Sequence, residues 1–265
     1  MIPASKPRLR IGRLPIDAVT FAEALDAIEA LVAGGRGGSV FTPNVDHVVI
    51  ADHDERLCRA YEAVSLSLVD GTPLLWVSRL LDPPLPEKIS GSDLVEPLAG
   101  RAAARGWSVY LLGGGPGVAE RAAAALGARH PGFRVIGAEG PLIDMEAAFE
   151  TRRDVLQRVV SARPDIVFVA LGNPKQELWV EEARSASPAT VFVAVGAGLD
   201  FVAGTIPRAP RWMSAAGVEW LYRLWREPGR LWRRYLLRDP RFVLILLRTL
   251  RQRRARPREA AAPGP

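Results

Sequence analysis

The sequence predicts an α/β fold, a mostly parallel, doubly wound sheet with helices on both faces, followed by a basic helical appendage. Three observations carry this expectation. Through the first 206 residues, short apolar runs of strand length alternate with stretches of helical period, the pattern of repeated β-α units. One run, DIVFVAL at 165–171, is apolar almost without interruption, as a strand covered on both faces must be. From Pro207 the texture changes, and apolar and aromatic residues alternate with arginine.

Taken in order, 8–14 reads as a first strand and 20–33 as a helix, with Phe21, Leu25, Ile28 and Leu31 on one face and Gly34-Gly35 at its end. Strands follow near 39–42 and 65–69, with the stretch 44–61 between them fitting a helix pair. The apolar segment 72–81 predicts a short buried helix stopped by Pro83-Pro84, and 84–92 a loop bearing Lys88. A helix over 93–105 leads to a strand at 107–112, a glycine run at 113–117 and an Ala-rich helix to Arg129. Further strands are expected at 133–136, 165–171 and 190–195, with a helix over 146–160. Pro228-Gly229 and Asp239-Pro240 divide the last part into three short helices. The expected organisation is an α/β body over 1–206, an appendage over 207–256 and a disordered tail over 257–265.

Bulk composition narrows the class. At 265 residues, 48% hydrophobic and with 7 Trp, the chain can bury a sizeable core. Its one cysteine, Cys58, excludes an internal disulfide framework. The start lacks the apolar run of a signal peptide, and no stretch approaches the ~18 apolar residues that span a bilayer. Charge is uneven: from Pro207 onward 15 arginines face 4 acidic residues, an excess of +11, whereas the preceding part holds 20 basic and 25 acidic side chains. Such a tail meets an anionic surface. Its Trp, Leu and Arg mixture reads as a core helix pair with solvated arginines, an interfacial anchor or a nucleic-acid patch, and suits anionic lipid best, since an RNA-binding sheet would need its aromatics on strands. No nucleic-acid partner is therefore expected.

The candidate site gathers at strand ends, because parallel sheets bind ligands beyond the carboxyl ends of their strands. One strand runs into Thr42-Pro43-Asn44 and the next into Asp70-Gly71, which offers a hydroxyl, an amide and a carboxylate to one pocket. Taken singly, Asn44 reads as a helix cap and Asp70 as a turn residue. Gly113 and Gly114 stand between strand and helix, where a diphosphate can meet a helix N-terminus. Val118 breaks the G-x-G-x-x-G pattern, so a nicotinamide cofactor is poorly supported and no cofactor is expected. Gly172 opens the polar stretch 172–177, in which Gln176 suits sugar hydroxyls and Glu177 reads as a first-turn acid favouring the helix dipole. Asp200 can accept from a ribose hydroxyl or cap a turn. Asp52-His53-Asp54 mimics the D-x-D triplet that holds a metal and a nucleotide diphosphate, but the helix-pair reading leaves both acids solvated. The histidines lack ligand spacing, so no metal is expected.

Together these motifs resemble the WecG/TagA/CpsF glycosyltransferases. The matching elements include T-P-N at 42–44, V-D-G at 69–71, E-K-I-S-G-S-D-L at 87–94, L-L-G-G-G at 111–115, G-N-P-K-Q-E at 172–177 and V-G-A-G-L-D-F at 195–201. R-A-P-R-W-M, G-V-E-W-L-Y-R-L and E-P-G-R-L-W-R-R-Y-L continue the match through the appendage. The resemblance implies a Rossmann-like sheet and inverting, metal-independent transfer from a UDP-sugar to a polyprenyl-diphosphate-linked saccharide, in cell-envelope or exopolysaccharide synthesis. It implies an enzyme peripheral on the cytoplasmic face of the cell membrane, with Asp70 as general base and Thr42, Asn44 and Gln176 in the sugar pocket. Lys88 stands where the family has arginine, which keeps the charge and loses the bidentate fork. Without a metal, cations must stabilise the departing diphosphate, and Arg223, Arg230 and Arg233 are the candidates in the appendage. Two alternatives are a non-catalytic membrane- or RNA-binding module and a Rossmann oxidoreductase. The transferred sugar and the oligomeric state, a homo-oligomer included, are left open.

Overall fold

The computed structural model describes residues 8–141, 149–210, 212–213, 218–226 and 228–255; within these, side chains at 149–151, 223, 230 and 253–255 are not described. The expected tail over 257–265 lies outside the described residues.

The chain opens with a hairpin, β1 (Arg8–Ile11) and β2 (Leu14–Asp17), where the sequence predicted one strand. Gly12, at φ +59°, makes the reversal, and no Cβ would fit there because Ile245 closes on it at 2.8 Å. Leu9, Ile11, Leu14 and Ile16 are fully buried, so the hairpin is a lid on the core rather than part of the main sheet.

The main sheet has six strands in the order β4 (Leu66–Ser67), β3 (Gly38–Phe41), β8 (Val191–Ala194), β7 (Ile166–Ala170), β5 (Ser108–Gly113), β6 (Arg134–Glu139), and every neighbouring pair is parallel. Side chains alternate between two apolar layers, as the strand period of two requires. Phe41, Tyr110, Val167, Val169 and Phe192 face one layer, and Val40, Val109, Leu111, Phe168 and Val193 the other. The first layer packs against the hairpin and the helices α2 (Val45–Ala51), α3 (Glu55–Glu62) and α8 (Lys175–Ala186). The second packs against α1 (Phe21–Ala33), α5 (Gly91–Arg105) and α6 (Val118–Arg129). Burial on both faces explains why the central strands read as continuous apolar runs. The remaining body helices are α4 (Thr72–Ser78), α7 (Phe149–Ala162) and α9 (Gly198–Val202).

The appendage comprises α10 (Glu219–Arg226), α11 (Pro228–Arg233), a π-helical turn at Arg234–Arg238, a 3-10 turn at Asp239–Arg241 and α12 (Phe242–Ala255). It is docked on the body. Leu231, Phe242 and Ile245 are buried, and the Gly12 N–H donates to Thr249 Oγ1 at 3.1 Å. Phe242, Ile245 and Thr249 form the inward stripe of α12, at the i, i+3, i+7 spacing of one helix face. The opposite face carries Val243, Leu244 and Leu247, each about half exposed.

Candidate active site

A polar cavity of about 590 Å³ lies at the carboxyl ends of the central strands. Its walls come from the loops after β3, β4, β5, β7 and β8, with the appendage above. Beside it a smaller, mainly apolar cavity of about 370 Å³ is lined by Pro73, Lys88, Trp220, Tyr235, Pro240 and Phe242. Asn44, Asp70, Glu219 and Arg234 line both, so the two chambers meet there.

Asn44 is the N-cap of α2: its Oδ1 accepts from the N–H of Asp46 at 3.0 Å and of His47 at 3.4 Å. Pro43 favours an extended conformation before it, and Thr42, nearly buried, ends β3 on the cavity wall. Gly91 opens α5 against this wall, where a Cβ would lie 3.0 Å from Thr42 Oγ1 and 2.5 Å from the Ala194 carbonyl. Asp70 follows β4, and its N–H donates to the Pro43 carbonyl at 2.8 Å, which holds the two strand-end loops together. The Ile89 N–H donates to the Val69 carbonyl at 2.7 Å and so brings Lys88 to the smaller cavity, with Nζ 3.9 Å from Asp93.

Opposite, Gly114 and Gly172 line the polar cavity with φ of +76° and +78°, conformations that cost an L side chain energy. Gly113 is one step behind that wall. Its missing Cβ lets β5 approach the Ala170 carbonyl, which a methyl group would meet at 2.4 Å. Gln176 is buried at 4% exposure and lines the cavity, as does Asp200, whose Oδ1 accepts from Thr205 Oγ1 at 3.2 Å.

The appendage contributes arginines other than those expected. Arg233 is exposed, with its guanidinium over the Trp232 ring at 5.4 Å, and the side chains of Arg223 and Arg230 lie outside the described residues. The residues that reach the cavity are Arg234 and Arg238, one π-helical turn apart. Arg234 Nη2 donates to Asn44 Oδ1 at 3.1 Å, and its Nε lies 3.3 Å from Asp46 Oδ2. Arg238 Nε lies 2.9 Å from Asp46 Oδ1. Asp239 completes the cluster at 3.8 Å from Arg234 Nε. Burial, reinforced by the Asp46 charge, pushes its carboxyl up to about 6, although Arg234, Arg238 and His47 pull it down.

Glu177 stands in the first turn of α8, as expected, and it does more there than meet the helix dipole. It is fully buried, accepts from Gln176 Nε2 at 2.7 Å and lies 3.1 Å from His47 Nε2. His47 is equally enclosed, and neither was singled out from the sequence for this contact. Asp52 and Asp54 belong to helix ends, as the helix-pair reading expects. Asp54 caps α3 through the N–H groups of Arg56 and Leu57, and Asp52 closes α2 with Arg248 at 3.3 Å. Among the described residues no three His, Cys, Asp or Glu side chains converge as a metal site.

The fold and cavity define a Rossmann-like α/β protein with a ligand site at the strand ends and a helical cap over it. Residues 9–256 match the Glycosyl transferase WecG/TagA/CpsF family, and the chain belongs to that family. It is a glycosyltransferase. Two relatives bear the name N-acetylglucosaminyldiphosphoundecaprenol N-acetyl-beta-D-mannosaminyltransferase. The Bacillus subtilis (strain 168) protein is 30% identical over 213 residues, covering 79% of this chain and 78% of the relative. That of Bacillus spizizenii (strain ATCC 23059 / NRRL B-14472 / W23) is 30% identical over 214 residues, 80% of each chain.

Proposed function

We propose that this protein is an inverting, metal-independent N-acetylhexosaminyltransferase. It moves a sugar from a UDP-sugar to polyprenyl-diphosphate-linked N-acetylglucosamine in cell-wall polysaccharide synthesis. The donor and acceptor sugars follow the names of the relatives, for which the donor sugar is N-acetylmannosamine. The observation that carries the mechanism is the position of Asp70 on the wall shared by a polar and an apolar cavity. The polar chamber, with its glycines and the amides of Asn44 and Gln176, suits a nucleotide sugar. The smaller one, with Trp220, Tyr235, Pro240 and Phe242, suits the acceptor and the first part of its lipid.

On this reading the Asp70 carboxylate takes the proton of the acceptor hydroxyl as that oxygen attacks C1 from the face opposite UDP. A C1–O bond forms, the C1–O bond to the diphosphate breaks, and UDP leaves with both electrons. Its growing charge needs cations already in place. Arg234 and Arg238 are at hand over the polar chamber, and Lys88 borders the acceptor side.

The membrane supplies the acceptor, and the reading has the protein docked on its cytoplasmic face. No helix among the described residues is long and apolar enough to cross a membrane. Exposed Trp225, Leu236, Leu237, Val243 and Leu244, set among arginines, support peripheral docking on anionic lipid.

The deciding experiment combines UDP calorimetry with a transfer assay using UDP-N-acetylmannosamine and polyprenyl-diphosphate-linked N-acetylglucosamine. UDP should bind, and a β-linked disaccharide lipid should form at an undiminished rate in EDTA. Activity abolished by chelator and restored by Mg²⁺ or Mn²⁺ would refute the metal-independent step, and absence of UDP binding would refute the whole reading.

A further inference from the structure

Gln176 holds one unanswered group. Its Nε2 donates to Glu177 Oε1, while its own Oε1 is buried on the cavity wall with no hydrogen-bond partner. A buried carbonyl oxygen of this kind costs on the order of 1–3 kcal/mol unless something donates to it. The orientation is not a free choice. Glu177 Oε1 accepts at 2.7 Å, so Gln176 turns its NH2 toward Glu177 and its oxygen toward the cavity. Reversing the amide would set two oxygens against each other.

Glu177 is held in turn. His47 Nε2 lies 3.1 Å from the same Oε1, and the other ring nitrogen lies 3.2 Å from the Asn44 N–H and 2.9 Å from Asn44 Oδ1. The ring therefore bridges Glu177 to the N-cap. Asn44 Oδ1 also accepts from the N–H groups of Asp46 and His47 and from Arg234. Its oxygen is thus committed to the fold, and its NH2 is the end left to donate. Tyr61 packs edge-on to His47 and closes the apolar side of the pair.

We propose that the buried His47–Glu177 pair is a positioning device that sets the polarity of the sugar pocket, presenting Gln176 as acceptor and Asn44 as donor. The pocket then selects a sugar with a hydroxyl or amide N–H at the Gln176 oxygen. A sugar lacking that donor leaves the buried carbonyl unpaired, the situation in which a site discriminates most strongly. His47 lines the cavity and Glu177 stands behind it, and both act through the amides of Asn44 and Gln176. The inference rests on the reading of the polar cavity as a UDP-sugar site.

The test compares UDP with UDP-N-acetylmannosamine, by calorimetry on the full-length chain, in wild type, Glu177→Gln, Gln176→Ala and the double variant. Glu177→Gln lets the amide at 176 turn over, so affinity for the UDP-sugar should fall roughly tenfold, the scale of one buried hydrogen bond, with UDP unchanged. In the Gln176→Ala background the same substitution should cost nothing further. Equal weakening of UDP and UDP-sugar, or an unchanged penalty in the Gln176→Ala background, would show a merely structural role and overturn the proposal. If wild type binds neither ligand, the functional reading itself fails and takes the proposal with it. Should Glu177→Gln not fold, the His47 pair decides. His47→Gln keeps a donor toward Glu177 and should retain UDP-sugar affinity, whereas His47→Phe should lose it; equal affinity in the two would overturn the proposal.

Discussion

Asp70 sits on the wall between the two chambers, tied to the Pro43 carbonyl by its own N–H, so replacing its charge should leave the walls in place. Asp70→Asn is predicted to bind UDP-sugar with near-normal affinity and to turn over about 10²-fold more slowly, the usual scale for a lost general base. Steady-state kinetics with calorimetry checks this, and unchanged turnover would remove Asp70 from the chemistry. The places of Thr42, Asn44, Asp70, Gln176 and Asp200 on the cavity wall were legible because polar residues just beyond apolar strand runs come together at the carboxyl edge of a parallel sheet. Glu177 was not legible. An acid in the first turn of a helix satisfies the dipole whether exposed or buried, and its sequence neighbours do not reveal that His47, 130 residues away, faces it. Arg234 and Arg238 were hidden differently. They are two of the 15 arginines after residue 206, and their four-residue spacing, shared by other arginine pairs of the appendage, does not say which pair turns toward the cavity.

The order of elements in the body follows from period and punctuation, and two elements show where that reasoning stops. The segment 8–14 has the composition of one strand, but Gly12 in the left-handed region folds it back into β1 and β2, and both its φ and the approach of Ile245 to 2.8 Å from where a Cβ would sit favour glycine there. That approach comes from the far end of the chain, so no local pattern announces it. The turns joining α11 to α12 carry a second such relation, now between charges. Asp239 lies half-buried near Arg234, Arg238, Asp46 and His47, with its carboxyl raised to about 6 from an ordinary value near 3.8. The folded state therefore binds this proton more tightly than the unfolded chain. Asp239 is least unfavourable near pH 4, and stability is lost as pH rises toward and through 6. Asp239→Asn should therefore be the more stable protein above pH 6, by roughly 1–2 kcal/mol after solvent screening. The advantage should shrink toward pH 4. Melting temperatures of both forms across pH 4–8 test this, and a constant difference would mean that Asp239 does not titrate in that window.

For the whole molecule, composition alone separated an acidic body from a basic appendage, and the periodicity of 242–252 is that of a helix. The docking of that helix was hidden, since Phe242, Ile245 and Thr249 look no different in sequence from outward-facing Val243, Leu244 and Leu247. Replacing the outward residues should spare the fold. Val243→Ser with Leu244→Ser and Leu247→Ser is predicted to keep the wild-type melting temperature and to sediment several-fold less with anionic vesicles. Equal sedimentation by both forms would place the lipid-binding surface elsewhere. Arg234 adds a further consequence. Its guanidinium ends on the oxygen of Asn44, the same atom that caps α2, so the appendage's posture and the set of a cavity-lining amide share one hydrogen bond. Linkage between two sites is reciprocal. On the proposed function, any free energy by which a lipid surface favours this seating of the appendage would return as an equal gain in affinity for the sugar nucleotide, and a loaded pocket would in turn lengthen the stay on the bilayer. On that proposal the enzyme would hold its donor more firmly beside its acceptor than in bulk solution, and so avoid spending an activated sugar on water.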